Sequence, residues 1–302
     1  MPSSHAIVLV SGGAAVTPFT TPDLAAGSGQ PAGNTMTALR RHLLDAGASV
    51  YTAPARIGAG RVTEDAGWEG FADAPGPLPE AMTINSVGGI DEAGAALDAF
   101  LAHLAADHGI ESLDLVGHSM GGLFARAAIG RRDPAAAPVR RLVTLGTPWT
   151  GALLGDFHVG DLALEDAHGD ATTERILREA EEFATEHSQG AADQVAERYL
   201  EGATGWNERQ AGALDGIAVS VIAGSWFRAA ADPERLWPHD GLVARRSALA
   251  SRVPASVLPA AERLEFEDVH SIFFASYLGL PWERALTWDP EVLAAVESAL
   301  GR

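Results

Sequence analysis

Ser119 is the residue best placed to do chemistry. It is the centre of Gly117-His118-Ser119-Met120-Gly121, with the strand-like run Leu113-Asp114-Leu115-Val116 before it and a helical pattern from Met120 to about Ile129 after it. A Gly-X-Ser-X-Gly motif in that context puts the serine at the apex of a sharp strand-to-helix turn, its hydroxyl raised above the sheet. Gly117 and Gly121 leave room for strand and helix to approach where a Cβ would collide, and Gly122 lets the helix pack tightly on the sheet. The helix aims its first amides and the positive end of its dipole at the space beside the hydroxyl. An oxyanion forms in that space during acyl transfer. A serine hydroxyl barely ionises near neutral pH, so it needs a base within hydrogen-bond reach and an acid to orient that base.

The elements that must position these groups alternate between strand and helix. Ala6–Val10, Ala48–Ala53, Arg141–Gly146, Ile217–Gly224 and Leu264–Phe266 read as short strands, several of them continuous apolar runs suited to a parallel sheet covered on both faces. Helices are expected after Asn34-Thr35, up to about Asp45, from Ile90 to about His108, and from Pro290 to Leu300. Thr17–Gly33 is a Pro/Gly/Ser/Thr-rich loop leaving the carboxyl end of a strand, and Pro54–Ala81 is irregular. From 152 to 215 the alternation stops, and a long acidic helix is expected over roughly Thr172–Glu201 with Ile176, Leu177, Ala180, Phe183 and Ala184 on one face. The chain reads as one α/β domain over 1–302 with a mostly parallel central sheet flanked by helices and a helical lid or cap insertion at 152–215.

Val116–Gly122 resembles the nucleophile elbow of α/β-hydrolases, in particular bacterial lipases and esterases. The resemblance implies a triad in the chain order Ser, then Asp or Glu, then His. Of the ten histidines, His270 follows the last strand and precedes a helix, where the base belongs. His118 abuts the serine but is turned aside by the elbow, and His239 leaves no room for a preceding acid. Asp240, in the loop after Ile217–Gly224, is the leading acid, and Asp240-Gly241-Leu242-Val243 resembles the segment carrying it in triacylglycerol lipases; Asp232 and Glu234 are alternatives. The first buried strand of such enzymes ends in His-Gly, with an oxyanion-hole amide just beyond. Ser11-Gly12 stands there in this chain, which implies the Gly13 amide, with Ala14 close behind and beside the substrate, as partner to the Met120 amide. Gly146-Thr147-Pro148-Trp149 resembles the turn that walls the acyl pocket in lipases. Trp149 is therefore expected in the wall of the acyl pocket; Trp226 and Phe273 also point to a hydrophobic acyl group, and Phe273, Phe274, Tyr277 and Leu278 are expected to pack inward from the closing helices.

Composition sets limits. The formal charge of −19 argues against nucleic acid and anionic membranes as partners, because phosphate contacts need clustered Lys and Arg. The chain has no cysteine, so disulfides and thiol chemistry are excluded. No apolar stretch approaches the roughly 20 residues of a membrane helix, and the N-terminus runs straight into a strand without a basic segment, from which a cytoplasmic protein is expected. Lipases of this kind often hold calcium through an Asp two positions after the histidine; Ile272 occupies that position, so no metal and no cofactor are expected. The expected activity is hydrolysis of a small-molecule or lipid-like carboxylic ester. A thioester, lactone or amide substrate, acyl transfer to an alcohol, and a non-catalytic binding protein on the same fold are the alternatives.

Overall fold

The structure, a computed structural model, describes residues 4–25, 36–63, 76–228 and 236–302. Its strands are β1 (His5–Val10), β2 (Val50–Thr52), β3 (Ala55–Arg56), β4 (Ile84–Asn85), β5 (Ser112–His118), β6 (Val139–Leu145), β7 (Ala218–Gly224) and β8 (Glu262–Phe266). Six of them form one sheet in the order β2-β1-β5-β6-β7-β8, every neighbouring pair parallel. β3 and β4 form a separate parallel pair that the sequence pattern did not announce.

The helices are α1 (Thr37–Asp45), α2 (Ile90–His108), α3 (Met120–Arg131), α4 (Leu153–His158), α5 (Ala171–His187), α6 (Ala191–Gln194), α7 (Glu197–Leu200), α8 (Trp206–Arg209), α9 (Arg245–Ala248), α10 (Ile272–Tyr277) and α11 (Pro290–Ala299). The expected capping residues Asn34 and Thr35 of α1 lie outside the described residues. Side chains alternate across the central strands. Ile7 and Leu9 pack with Leu39 and Leu43 of α1 and Val292 and Val296 of α11, while Val8, Val10 and Leu115 pack with Leu97 and Leu101 of α2 and Leu123 and Phe124 of α3. Burial on both faces is why these strands are apolar without interruption.

Between β6 and β7 the chain forms α4 to α8. The single long helix expected over Thr172–Glu201 is divided: α5 ends at His187, and Gly190 takes φ 105° before α6 begins. Ser188, extended at φ −64° and ψ 131°, caps the end of α5, and Gly190 precedes α6 in a left-handed conformation that glycine adopts readily. Asp170 starts α5 by accepting a 2.7 Å hydrogen bond from the Thr173 amide.

β1 lies between β2 and β5, so chain connections leave it in opposite directions. The carboxyl ends of β1 and β5 therefore face a crevice of the kind in which ligands bind in open α/β sheets. α3 crosses that point at very short range, since a Cβ at Gly121 would lie 2.1 Å from Val10 O. Gly121→Ala must push the helix off the sheet, and it is expected to destabilise the fold by about 1–3 kcal/mol. A lower urea midpoint at unchanged m-value checks this.

Candidate active site

Ser119 joins β5 to α3 with φ 56° and ψ −132°, backbone angles that a residue with a Cβ rarely adopts. Its main chain is held on both sides. The Ser119 amide donates to Leu145 O at 2.8 Å, and Thr147 Oγ1 donates to Ser119 O at 2.8 Å. Gly12, at the end of β1, lies against the turn; a Cβ there would stand 2.5 Å from Ser119 Cβ and 3.0 Å from the Met120 nitrogen. Only glycine keeps the space in front of the Met120 amide open, a role that the sequence motif did not reveal. The Ala14 amide donates to Ser86 O at 3.2 Å, whereas the Gly13 and Met120 amides donate to no backbone carbonyl among the described residues.

The loops after β7 and β8 bring Asp240 and His270 together. Asp240 is fully buried, and its Oδ2 accepts from His270 Nδ1 at 2.7 Å. Its Oδ1 accepts from the Leu242 and Val243 amides at 3.0 and 2.8 Å, so the carboxylate cannot rotate without losing three hydrogen bonds. The His270 amide in turn donates to Asp240 O at 2.8 Å. With the Nδ1 proton committed to Asp240, Nε2 of the neutral ring is the nitrogen able to take a proton. Gly146, at φ 56°, forms the floor, where a Cβ would be 3.0 Å from both Asp240 Oδ2 and His270 Nδ1. The glycine ending the strand before Thr147-Pro148 was the available sequence signal.

The His118 ring is committed to a partner other than Ser119. Its Nε2 donates to His270 O at 2.8 Å, and the two rings stand 4.7 Å apart. Burial, then the neighbouring His270, lowers its pKa to about 3, so it stays neutral and acts as a fixed donor. His239 is also buried, stacks on Phe227 and lies against Thr173 of α5, away from the serine. Asp232 and Glu234 lie outside the described residues.

Ser119, His270, Gly13, Ala14 and Met120 all line one cavity of about 720 Å³. Its roof comes from α5, through Ile176, Ala180 and Phe183, and from α10, through Phe274 and Tyr277. Phe273 also borders it but is 64% exposed, in contrast to the inward packing expected. The structure does not bring Trp149 or Trp226 to this cavity. Trp149 is fully buried, with the Arg126 guanidinium 4.3 Å above its ring and its Nε1 donating to Thr144 Oγ1 at 3.1 Å. Trp226 packs among the residues around α10, under Arg284. An indole is apolar enough for either place, and these two were taken up by cation–π contacts elsewhere. Among the described residues no group of three or more His, Asp or Glu side chains is arranged to hold a metal ion, and no helix is long and apolar enough to cross a membrane.

A parallel sheet with helices on both faces, a strained serine between strand and helix, and a buried Asp–His pair on two later loops complete the pattern. The chain has the α/β-hydrolase fold. A family model described as a PGAP1-like alpha/beta domain matches residues 96–164, which include the elbow. No curated protein matches the chain. An esterase of Pyrococcus furiosus is similar in structure, with 14% identity, a TM-score of 0.50, and 99% of this chain and 82% of that one covered. A Bacillus licheniformis lipase in its propeptide form has 14% identity and a TM-score of 0.49; the match covers 82% of this chain and 44% of that one, so this chain spans less than half of its length. Naproxen esterase of Bacillus subtilis has 13% identity and a TM-score of 0.47, with 100% and 85% covered. At such identities the likeness concerns the α/β-hydrolase fold alone.

One buried acid near this site has no hydrogen-bond donor among the described residues. Asp268 precedes His270 by two residues, neither of its oxygens accepts a hydrogen bond from a donor group, and Arg284 Nε is 3.9 Å away. Burial, then the neighbouring Asp289 carboxylate, raises its pKa from 3.8 to about 7, with Arg284 opposing and Glu291 adding to the shift. The folded protein thus keeps this proton to a higher pH than the unfolded chain, and stability falls as pH rises from about 4 to about 7. Asp268→Asn removes that loss. The variant is expected to melt above the parent at pH 8, with the gap closing below about pH 4; thermal melts across this range check it.

Proposed function

We propose that this protein is a serine hydrolase that cleaves carboxylic esters through an acyl-enzyme, with Ser119 as nucleophile, His270 as base and Asp240 as its orienting acid. The observation that carries the reading is the 2.7 Å bond between His270 Nδ1 and the buried Asp240 carboxylate, at the wall of the cavity that Ser119 also lines. Ser119 Oγ attacks the acyl carbon as its proton passes to His270 Nε2. The carbonyl oxygen becomes an oxyanion facing the amides of Met120 and Gly13, each donor worth about 3 kcal/mol in the transition state. His270 then protonates the leaving alkoxide as the C–O bond breaks, leaving the acyl group on Ser119. A water molecule, deprotonated by the same imidazole, attacks that ester and releases the acid and the free serine.

The cavity supports an apolar, uncharged acyl group. Among the described residues, the ionisable side chains along it are the two histidines, Tyr277 and Glu179, and a carboxylate at Glu179 opposes an anionic acyl chain. The segment 152–215 serves as the cap of this site, with α5 shielding the acyl-enzyme from bulk water.

Ser119→Ala is expected to lower turnover of a short-chain chromogenic ester by at least about 10³-fold at similar fold stability. Asp240→Asn is expected to lower kcat by about 10⁴-fold through the wrong imidazole tautomer. A fluorophosphonate probe, followed by peptide mapping, should mark Ser119 in the parent and nothing in Ser119→Ala. Equal turnover by parent and Ser119→Ala would end the proposal.

A further inference from the structure

Next to the Gly13 amide, the chain takes an unfavourable turn. Ala14 has φ 58°, in the left-handed region, although it carries a Cβ and lies exposed on the cavity wall. Such a conformation persists only where its surroundings over-determine it. The local bond is weak: the Ala15 amide reaches Gly12 O at 3.4 Å. The stronger restraint comes from a distant residue, Ser86, which follows β4 and is fully buried. Ser86 O accepts the Ala14 amide at 3.2 Å, and Ser86 Oγ has Ala15 O at 2.9 Å. Arg56 O is also 2.9 Å from the hydroxyl, but it already accepts the Ser86 amide at 2.8 Å. The hydroxyl proton therefore adds most at Ala15 O, and the Gly13–Ala14 and Ala15–Val16 peptides, which bracket the turn, are both tied to one residue.

We propose that Ser86 is a positioning residue that pre-forms the oxyanion hole, by clamping Ala14 in the left-handed region so that the Gly13 amide faces the space beside Ser119. The inference rests on the hydrolase reading above. It also gives the small β3–β4 pair a purpose. That pair carries Arg56 and holds Ser86 in register beneath the loop after β1. Ser86 lines the same cavity, but its hydrogen bonds go to Ala14, Ala15 and Arg56 and none to Ser119 or His270 among the described residues; it acts through the backbone of another segment. An oxyanion-hole donor contributes only if it is in place before charge develops, so a loosened loop slows the chemical step and leaves ground-state binding alone.

Ser86→Ala is expected to lower kcat about 10- to 100-fold with KM within about twofold. Affinity for a trifluoromethyl ketone, whose adduct places an oxyanion in the same hole, should fall in parallel with kcat/KM. Glycine adopts φ near 60° without help, so the same Ser86→Ala change made in an Ala14→Gly background should cost several-fold less. Unchanged kcat with only a lower melting temperature, or an equal loss in both backgrounds, would overturn the clamp. If Ser86→Ala fails to fold, the exposed position carries the test: Ala14→Val, which resists positive φ, should have a lower kcat than Ala14→Gly, which adopts it freely, and equal kcat in both would reject the proposal. Ser119→Ala, assayed alongside, separates the two levels. Turnover independent of Ser119 removes the hydrolase reading and this inference with it, whereas turnover that needs Ser119 but ignores Ser86 removes the clamp alone.

Discussion

The whole arrangement depends on how closely α3 is packed against the ends of β1 and β5. With Gly121 directly beneath Val10 O, the helix starts within the sheet's own van der Waals envelope, and the residue before it has no relaxed backbone conformation available. The main chain at Ser119 is restrained at three points: its amide is tied to β6, its carbonyl to the turn after β6, and its flank to Gly12 after β1. A residue over-determined from three directions cannot relax when a ligand arrives, so its hydroxyl position is set by the fold. Preorganisation of this kind is what electrostatic stabilisation of a transition state requires.

The polar groups around the serine follow a second constraint, set by burial. Asp240 is inaccessible to water yet carries three hydrogen bonds, and that satisfaction lets a carboxylate remain in the interior beside His270. His118 meets the same constraint differently, by giving up charge and using one N–H to hold the His270 carbonyl. Asp268 lacks such donors, and burial together with the Asp289 carboxylate raises its pKa. Two buried acids in the loops around His270 thus differ in their partners: Asp240 has backbone donors, whereas Asp268 faces the Asp289 carboxylate.

What could be read from the sequence divides along the same physical lines. The elbow is legible because its geometry is enforced by contiguous residues, Gly117 to Gly122, and the strands are legible because double-sided burial leaves unbroken apolar runs. Asp240 and His270 are legible by their order after β7 and β8, and the structure does bring these two side chains together. The aromatic residues are not, since burial of an indole is rewarded equally in a pocket and in a core. Trp149 took the core place beside Arg126, while Phe273 was left outside. The division of the 171–201 region turns on backbone angles, extended at Ser188 and left-handed at Gly190, which no apolar stripe encodes. Ser86 is harder still, because its contacts span 71 residues to Ala15 and 30 to Arg56, and nothing in its neighbourhood marks it.

Floor and roof of the cavity are built from different interactions. The floor, from Gly12 to Met120 and from Gly146 to His270, is fixed by main-chain hydrogen bonds and by glycines that admit no side chain. The roof is made of apolar side chains from α5 and α10, with a polar link where Tyr277 donates to Glu179 at 3.2 Å. Replacing a roof side chain alters the volume and polarity presented to a ligand and leaves the floor bonds as they are. Replacing a floor residue alters the path of the chain itself. On the proposed reading, reaction type is therefore written in the backbone of the loops after β1, β5, β6, β7 and β8. Substrate choice is written in the side chains of α5 and α10, so the second can diverge while the first stays fixed.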